Sequence, residues 1–134
     1  MASRGCGLAT SEHANPPIES FRDLVAWQKA FALGVNVHRF ATGLPNSEQF
    51  GLAAQLRRGS VSIASNIAEG YGRGSRADYI RFLKIARGGL YELDTQLMFA
   101  LDFGYIEQAS YDESKTQLDE CERVLEGLIR SLER

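Results

Sequence analysis

The chain is poor in the residues that usually announce chemistry. Its 134 residues include 2 histidines, 2 cysteines, 3 prolines and 1 tryptophan. Neither His13 nor His38 has a second ligand at i+4, and no Glu-x-x-His pair of the kind that builds carboxylate-bridged sites in helical bundles occurs. No metal and no cofactor are therefore expected. Cys6 and Cys121 form neither a disulfide framework nor a zinc spacing, which fits a reducing cytoplasm. No apolar run approaches the ~18 residues that span a bilayer, so no membrane partner is expected. Met1 to Pro17 carries Arg4 as its only basic residue and lacks an apolar core of about 7–15 residues, which argues against a secretory signal. Period-two alternation is absent over any strand-length stretch.

What is present reads as helix. Residues 1–18 form a leader rich in Gly, Ser, Asn and Pro, and residues 19–134 a single domain of a size that buries one core. Ser20 caps a first helix with Asp23 in its first turn and Phe21, Leu24, Trp27, Phe31, Val35 and Val37 on a broad apolar face; Gly43 and Pro45 end it. Asn46 and Gln49 have capping-box spacing at the head of a second helix that runs to about Glu69, where Gly70, Gly72 and Gly74 stop it. Ser75, with Asp78 three residues on, starts a third helix that buries Tyr79, Phe82, Leu83, Ala86, Leu90, Leu93, Leu97 and Leu101. Ser110 and Glu113 form another capping-box pair before a fourth helix, whose stripe is Leu118, Cys121, Leu125, Leu128 and Leu132. Long helices with short connections predict an all-α, antiparallel up-down-up-down four-helix bundle.

Helix two is unusual. Gln55, Arg58, Ser62, Asn66 and Glu69 fall, at about 100° per residue, within a strip roughly 80° wide. A full apolar face (Leu52, Leu56, Ile63, Ile67, edged by Ala53 and Ala64) lies on one side of it. A weaker one (Phe50, Ala54, Val61, Ala68) lies on the other. A surface helix ordinarily has a single apolar stripe. The pattern predicts a helix enclosed on most sides, with a buried polar seam answered by Glu92 and Gln96 of helix three. Such a seam fixes register and oligomer state more than it adds net stability. Glu69 with Glu92 is the one carboxylate pair worth weighing for acid–base work, but no nucleophile or base accompanies it.

Charge is uneven along the chain. Residues 48–87 carry seven Lys/Arg against three Asp/Glu, and residues 88–134 four against eleven, within a net charge of −2. The two halves can match each other between helices or subunits, or serve separate partners. Arg57, Arg73, Ser75, Arg76, Lys84 and Arg87 make the candidate contact for an anion or RNA, with Tyr71 or Tyr79 available to stack on a base. Overall acidity argues against a dedicated nucleic-acid binder. Gly70-Tyr71-Gly72-Arg73-Gly74-Ser75 follows a helix rather than a strand and lacks Gly-Lys-Ser/Thr, so it is a helix stop and capped start rather than a nucleotide loop.

Gln55 to Gly70 (QLRRGSVSIASNIAEG), Arg73 to Ala86 (RGSRADYIRFLKIA) and Leu90 to Leu97 (LYELDTQL), with the upstream Phe21, Leu24, Trp27, Ala30 spacing, resemble one family. It is that of the four-helix-bundle proteins encoded in 23S rRNA intervening sequences, also labelled S23 ribosomal proteins and similar to the accessory protein of diversity-generating retroelements. The resemblance covers about residues 20 to 132, and its most specific part is Ser62 to Gly70. It implies a homopentamer with a central channel and no catalytic activity. The retroelement relatives are strongly basic and bind nucleic acid, from which this acidic chain departs. Gly89 departs too, standing where the family usually has serine. The expected function is a cytoplasmic, non-enzymatic homo-oligomeric scaffold or adaptor. The alternative is an RNA- or ribonucleoprotein-binding module using the basic patch where helix two meets helix three.

Overall fold

The computed structural model describes residues 17–134, so the leader, with Cys6 and His13, falls almost wholly outside the described residues. Among those described, every regular element is helical: α1 (Val25–Thr42), α2 (Leu52–Tyr71), α3 (Arg76–Asp102) and α4 (Gln108–Glu133). Two 3-10 turns, Phe21–Asp23 and Asn46–Glu48, precede α1 and α2. Each helix packs on its chain neighbours, α4 closes back on α1, and the diagonal pairs stay apart. This is the expected up-down-up-down bundle.

The core is drawn from all four helices. Leu33, Leu56, Ile63, Ile67, Leu83, Leu90, Leu93, Leu97, Leu125 and Ile129 are fully buried. Removing each such side chain from water is worth about 1.5–3 kcal/mol, the drive that fixes the bundle. On α1 the core face differs from the expected one. Val37 points inward with Ala26, Ala30, Leu33 and Ala41, as does Leu24 just before the helix, whereas Phe31 and Val35 stay exposed.

Three helix starts also differ from the sequence reading, each for a local reason. Ser20 does form a capping box with Asp23, but it caps the 3-10 turn, and extended backbone at Leu24 separates that turn from α1. The Asn46–Gln49 box does not form, because Asn46–Glu48 is itself a 3-10 turn. Glu48 instead reaches forward, its Oε1 accepting the Leu52 N–H at 3.0 Å. It thereby satisfies one of the free amides of α2 from outside the helix. Glu107 is the N-cap residue of α4, which leaves the Ser110–Glu113 pair inside the helix. Ser75 behaves as expected, its hydroxyl accepting the Asp78 N–H at 3.1 Å.

Within one chain, α2 is not enclosed. A helix in a square bundle has two neighbours, so the arc facing neither of them stays outside. Gln55, Arg58, Val61 and Glu69 are exposed on that arc, and Asn66 and Ser62 are half-buried. The weaker apolar flank is likewise open, with Phe50 90% exposed and Val61 60% exposed. The polar strip is therefore a surface feature of the single chain.

Candidate assembly surface

The outer arc of α2 divides two grooves of opposite character. Gln55, Arg58, Gly59, Ser62, Gly89, Glu92, Leu93 and Gln96 line a polar one, of 300 Å³, shared with α3. It brings together five of the seven residues assigned to the seam. Its direct polar contacts are sparse: Gln96 Nε2 donates to Gln55 Oε1 at 3.4 Å, while the Gln96 Oε1 atom is buried without a partner. Arg58 and Glu92 line the groove without forming an ion pair with one another. Asn66 turns back to its own helix, donating to the Ser62 carbonyl at 2.9 Å. Glu69 faces Arg73 at 3.4 Å and lines a separate hollow with Ala68, Gly72 and Asp78. Of the contacts expected between Gln55, Arg58 and Asn66 on α2 and Glu92 and Gln96 on α3, the chain makes the Gln55–Gln96 one, while Arg58 and Asn66 do not bond to either α3 residue. Gly89 has a structural reason: a Cβ there would lie 3.2 Å from Ile63 Cγ1, so a serine would press on the α2 core.

The second groove, shared with α1, is apolar and encloses 580 Å³. Its walls include Trp27, Phe31, Val35, Val61, Ala64 and Ala68, with His38 and Arg39 at one end. Phe21, Trp27 and Phe31 form an aromatic row, Phe21 edge-on to Trp27 at 5.2 Å and Trp27 stacked on Phe31 at 5.1 Å. The groove exists because α1 and α2 touch backbone to backbone beneath it. A Cβ built on Gly34 would stand 1.9 Å from the Ser60 carbonyl oxygen. Large side chains flanking so close a crossing cannot pack between the helices and are left outside. This groove was not foreseen from the sequence. The signal for it was present in Ala26, Ala30 and Gly34, a row of small residues four apart that permits close helix approach.

The acidic and basic halves of the chain meet each other. Lys84 reaches Glu133 at 2.8 Å, Arg87 donates to both Glu126 oxygens at 2.9 Å, and Lys29 reaches Glu120 at 2.9 Å. Arg76 donates to the Arg134 carbonyl at 3.4 Å, and Arg73 lies 3.4 Å from both Glu69 and Asp78. Four of the five cations assigned to the basic patch therefore already have acceptors within the chain, with Arg57 outside these contacts. Tyr111 and Lys115 both donate to Asp94, at 2.8 Å and 3.1 Å, tying α4 to α3. Burial, then the Asp94 bond, raises the Tyr111 hydroxyl pKa; hydrogen bonds to Asp119 and Asp94 raise that of Lys115. No three His, Cys, Asp or Glu side chains among the described residues converge as a metal site would require.

The model of one family, described as 23S rRNA-intervening sequence protein, matches residues 22–127. The chain belongs to that family. A solved structure from Bacteroides thetaiotaomicron VPI-5482, described as a protein of unknown function from the S23 ribosomal protein family, superposes with a TM-score of 0.73 at 27% identity. The alignment covers 79% of this chain and 96% of that one. No curated protein matches. Both grooves of this 23S rRNA-intervening sequence family member lie on helices inside the matched span. Among the described residues, no helix is long and apolar enough to cross a membrane.

Proposed function

We propose that this protein is a cytoplasmic, non-enzymatic scaffold or adaptor that works as a homo-oligomer, with α2 at or beside the subunit interface. The observation that carries this reading is the open apolar face of α1 and α2. Phe31 is 53% exposed and Val61 60% exposed on either side of a groove whose walls are almost wholly hydrocarbon. Contiguous apolar surface of this kind marks an interaction site in a soluble protein. The polar groove beside it gives the interface its register, because Arg58 and Glu92 can find opposite charges on another copy. A ring of five copies is the assembly this reading takes.

Light scattering on the purified chain tests it. A particle of several times 14.8 kDa at micromolar concentration is expected. A mass of one chain would end the proposal. RNA binding is the competing outcome: affinity for structured RNA that falls steeply with salt, and is lost in Arg73→Glu with Arg76→Glu, would displace it.

A further inference from the structure

A second apolar surface lies away from the groove, at the C-terminal end of α3. Phe99 and Phe103 are 52% and 54% exposed with ring centres 5.6 Å apart, and Phe103 meets Tyr105 at 5.8 Å. The Tyr105 hydroxyl donates to Glu48 Oε2 at 2.8 Å, which holds this aromatic cluster against the loop before α2. We propose that the α1–α2 groove of one copy receives the Phe99–Phe103 cluster of the next copy, head to tail. The inference rests on the self-association reading and adds which surfaces meet.

Shape and charge both favour this pairing. The groove is concave with apolar walls, and the exposed Phe99 and Phe103 rings have the size and character to fill it. Phe side chains each bury about 150–250 Å² when they find such a site. Arg39 stands at one end of the groove. Asp102, between Phe99 and Phe103, and Glu107, two residues past Tyr105, are both exposed beside the aromatic cluster. None of the three makes an ion pair among the described residues. Charge of one sign beside one surface and of the other sign beside its complement specifies orientation and suppresses wrong pairings. Two different patches on each copy make a heterologous contact, which closes into a ring when the rotation permits.

Complementation of two variants tests the pairing. Val61→Glu blocks the groove and leaves the aromatic end intact; Phe99→Glu does the reverse. Both positions are more than half exposed, so the folded bundle should persist, checked by circular dichroism. Each variant alone should sediment as a single chain of 14.8 kDa, and an equimolar mixture should form a one-to-one pair of twice that mass. If either variant fails to fold, Val35→Glu or Phe103→Ser takes its place in the same experiment. An oligomer that survives either substitution, or a mixture that stays monomeric, overturns the head-to-tail pairing while self-association stands. A monomeric wild-type chain removes both. Trp27, the sole tryptophan, lines the groove and gives a second readout. Its emission should shift to the red when the groove is vacated in Phe99→Glu, and an unchanged spectrum would count against the pairing.

Discussion

Replacing Gly34 by alanine adds one methyl group at the point where α1 and α2 come closest. The new Cβ would lie 1.9 Å from the Ser60 carbonyl oxygen and 3.1 Å from the Ser60 carbonyl carbon. Side-chain rotation cannot relieve the overlap, because the obstacle is backbone and no residue choice at position 60 removes it. Reaching even 3.0 Å requires the two helices to part by 3.0 − 1.9, or about 1.1 Å, along the contact direction. Overpacking of this kind costs about 1–3 kcal/mol, and a rigid neighbour puts it at the upper end. Alanine returns about 1 kcal/mol through its better helix propensity. The net expectation is a loss of about 2 kcal/mol, equivalent to a fall in Tm of roughly 8 °C for a domain of this size. Gly88→Ala supplies the matched control. It is the same chemical change within a helix, but a Cβ there meets nothing within 4 Å. That variant should gain about 1 kcal/mol and melt roughly 4 °C higher. Thermal melts followed at 222 nm read both on one instrument. A Gly34→Ala protein as stable as wild type would refute the backbone-contact explanation for the crossing and, with it, the origin assigned to the apolar groove.

Three further outcomes follow from buried or shifted groups. Ser114 is fully buried in α4 with a hydroxyl that has no partner, so Ser114→Ala should stabilise by about 1 kcal/mol in chemical denaturation; a comparable loss would mean that the hydroxyl is satisfied after all. Burial pushes the Cys121 thiol up to about 12 from its ordinary 9.0. In a Cys6→Ser background Cys121 should resist thiol reagents until the bundle unfolds, and its contribution to stability should be fully present below pH 9.0 and decline from there toward about 12. Rapid labelling of the native protein at neutral pH would contradict this. The Leu52 N–H and then the Tyr105 hydroxyl hold the Glu48 carboxyl below its ordinary 4.5. Its clasp is therefore complete above that value and lost as pH falls through the lowered one, so amide exchange at Leu52 should quicken on acidification and become pH-independent, beyond intrinsic exchange, in Glu48→Gln.

Much of this molecule is determined one helix at a time. Leucines recurring every three or four residues in α3 and α4, with Ser75 as a cap, specify helices whatever surrounds them, since 3.6-residue periodicity is a local property. The short joints at Gly72–Ser75 and around Gly104, whose φ is +83°, then make consecutive helices antiparallel. Family membership was legible too, in the run from Ser62 to Gly70. Where α1 and α2 begin was decided beyond the local motif. Asn46 and Gln49 have the spacing of a capping box, yet Glu48 reaching Leu52 and Tyr105 places the start of α2 six residues after Asn46. The fate of the apolar residues on α1 depended still more on tertiary structure. Phe31 and Val35 look as hydrophobic as Leu33 and Val37, and only the Gly34–Ser60 contact, which draws α2 so close, leaves them outside. The polar strip of α2 followed the same rule: its geometry on the helix is set by spacing, but whether it is buried depends on how many neighbours a helix has. In a four-helix square that number is two, so within the chain the strip stays at the surface.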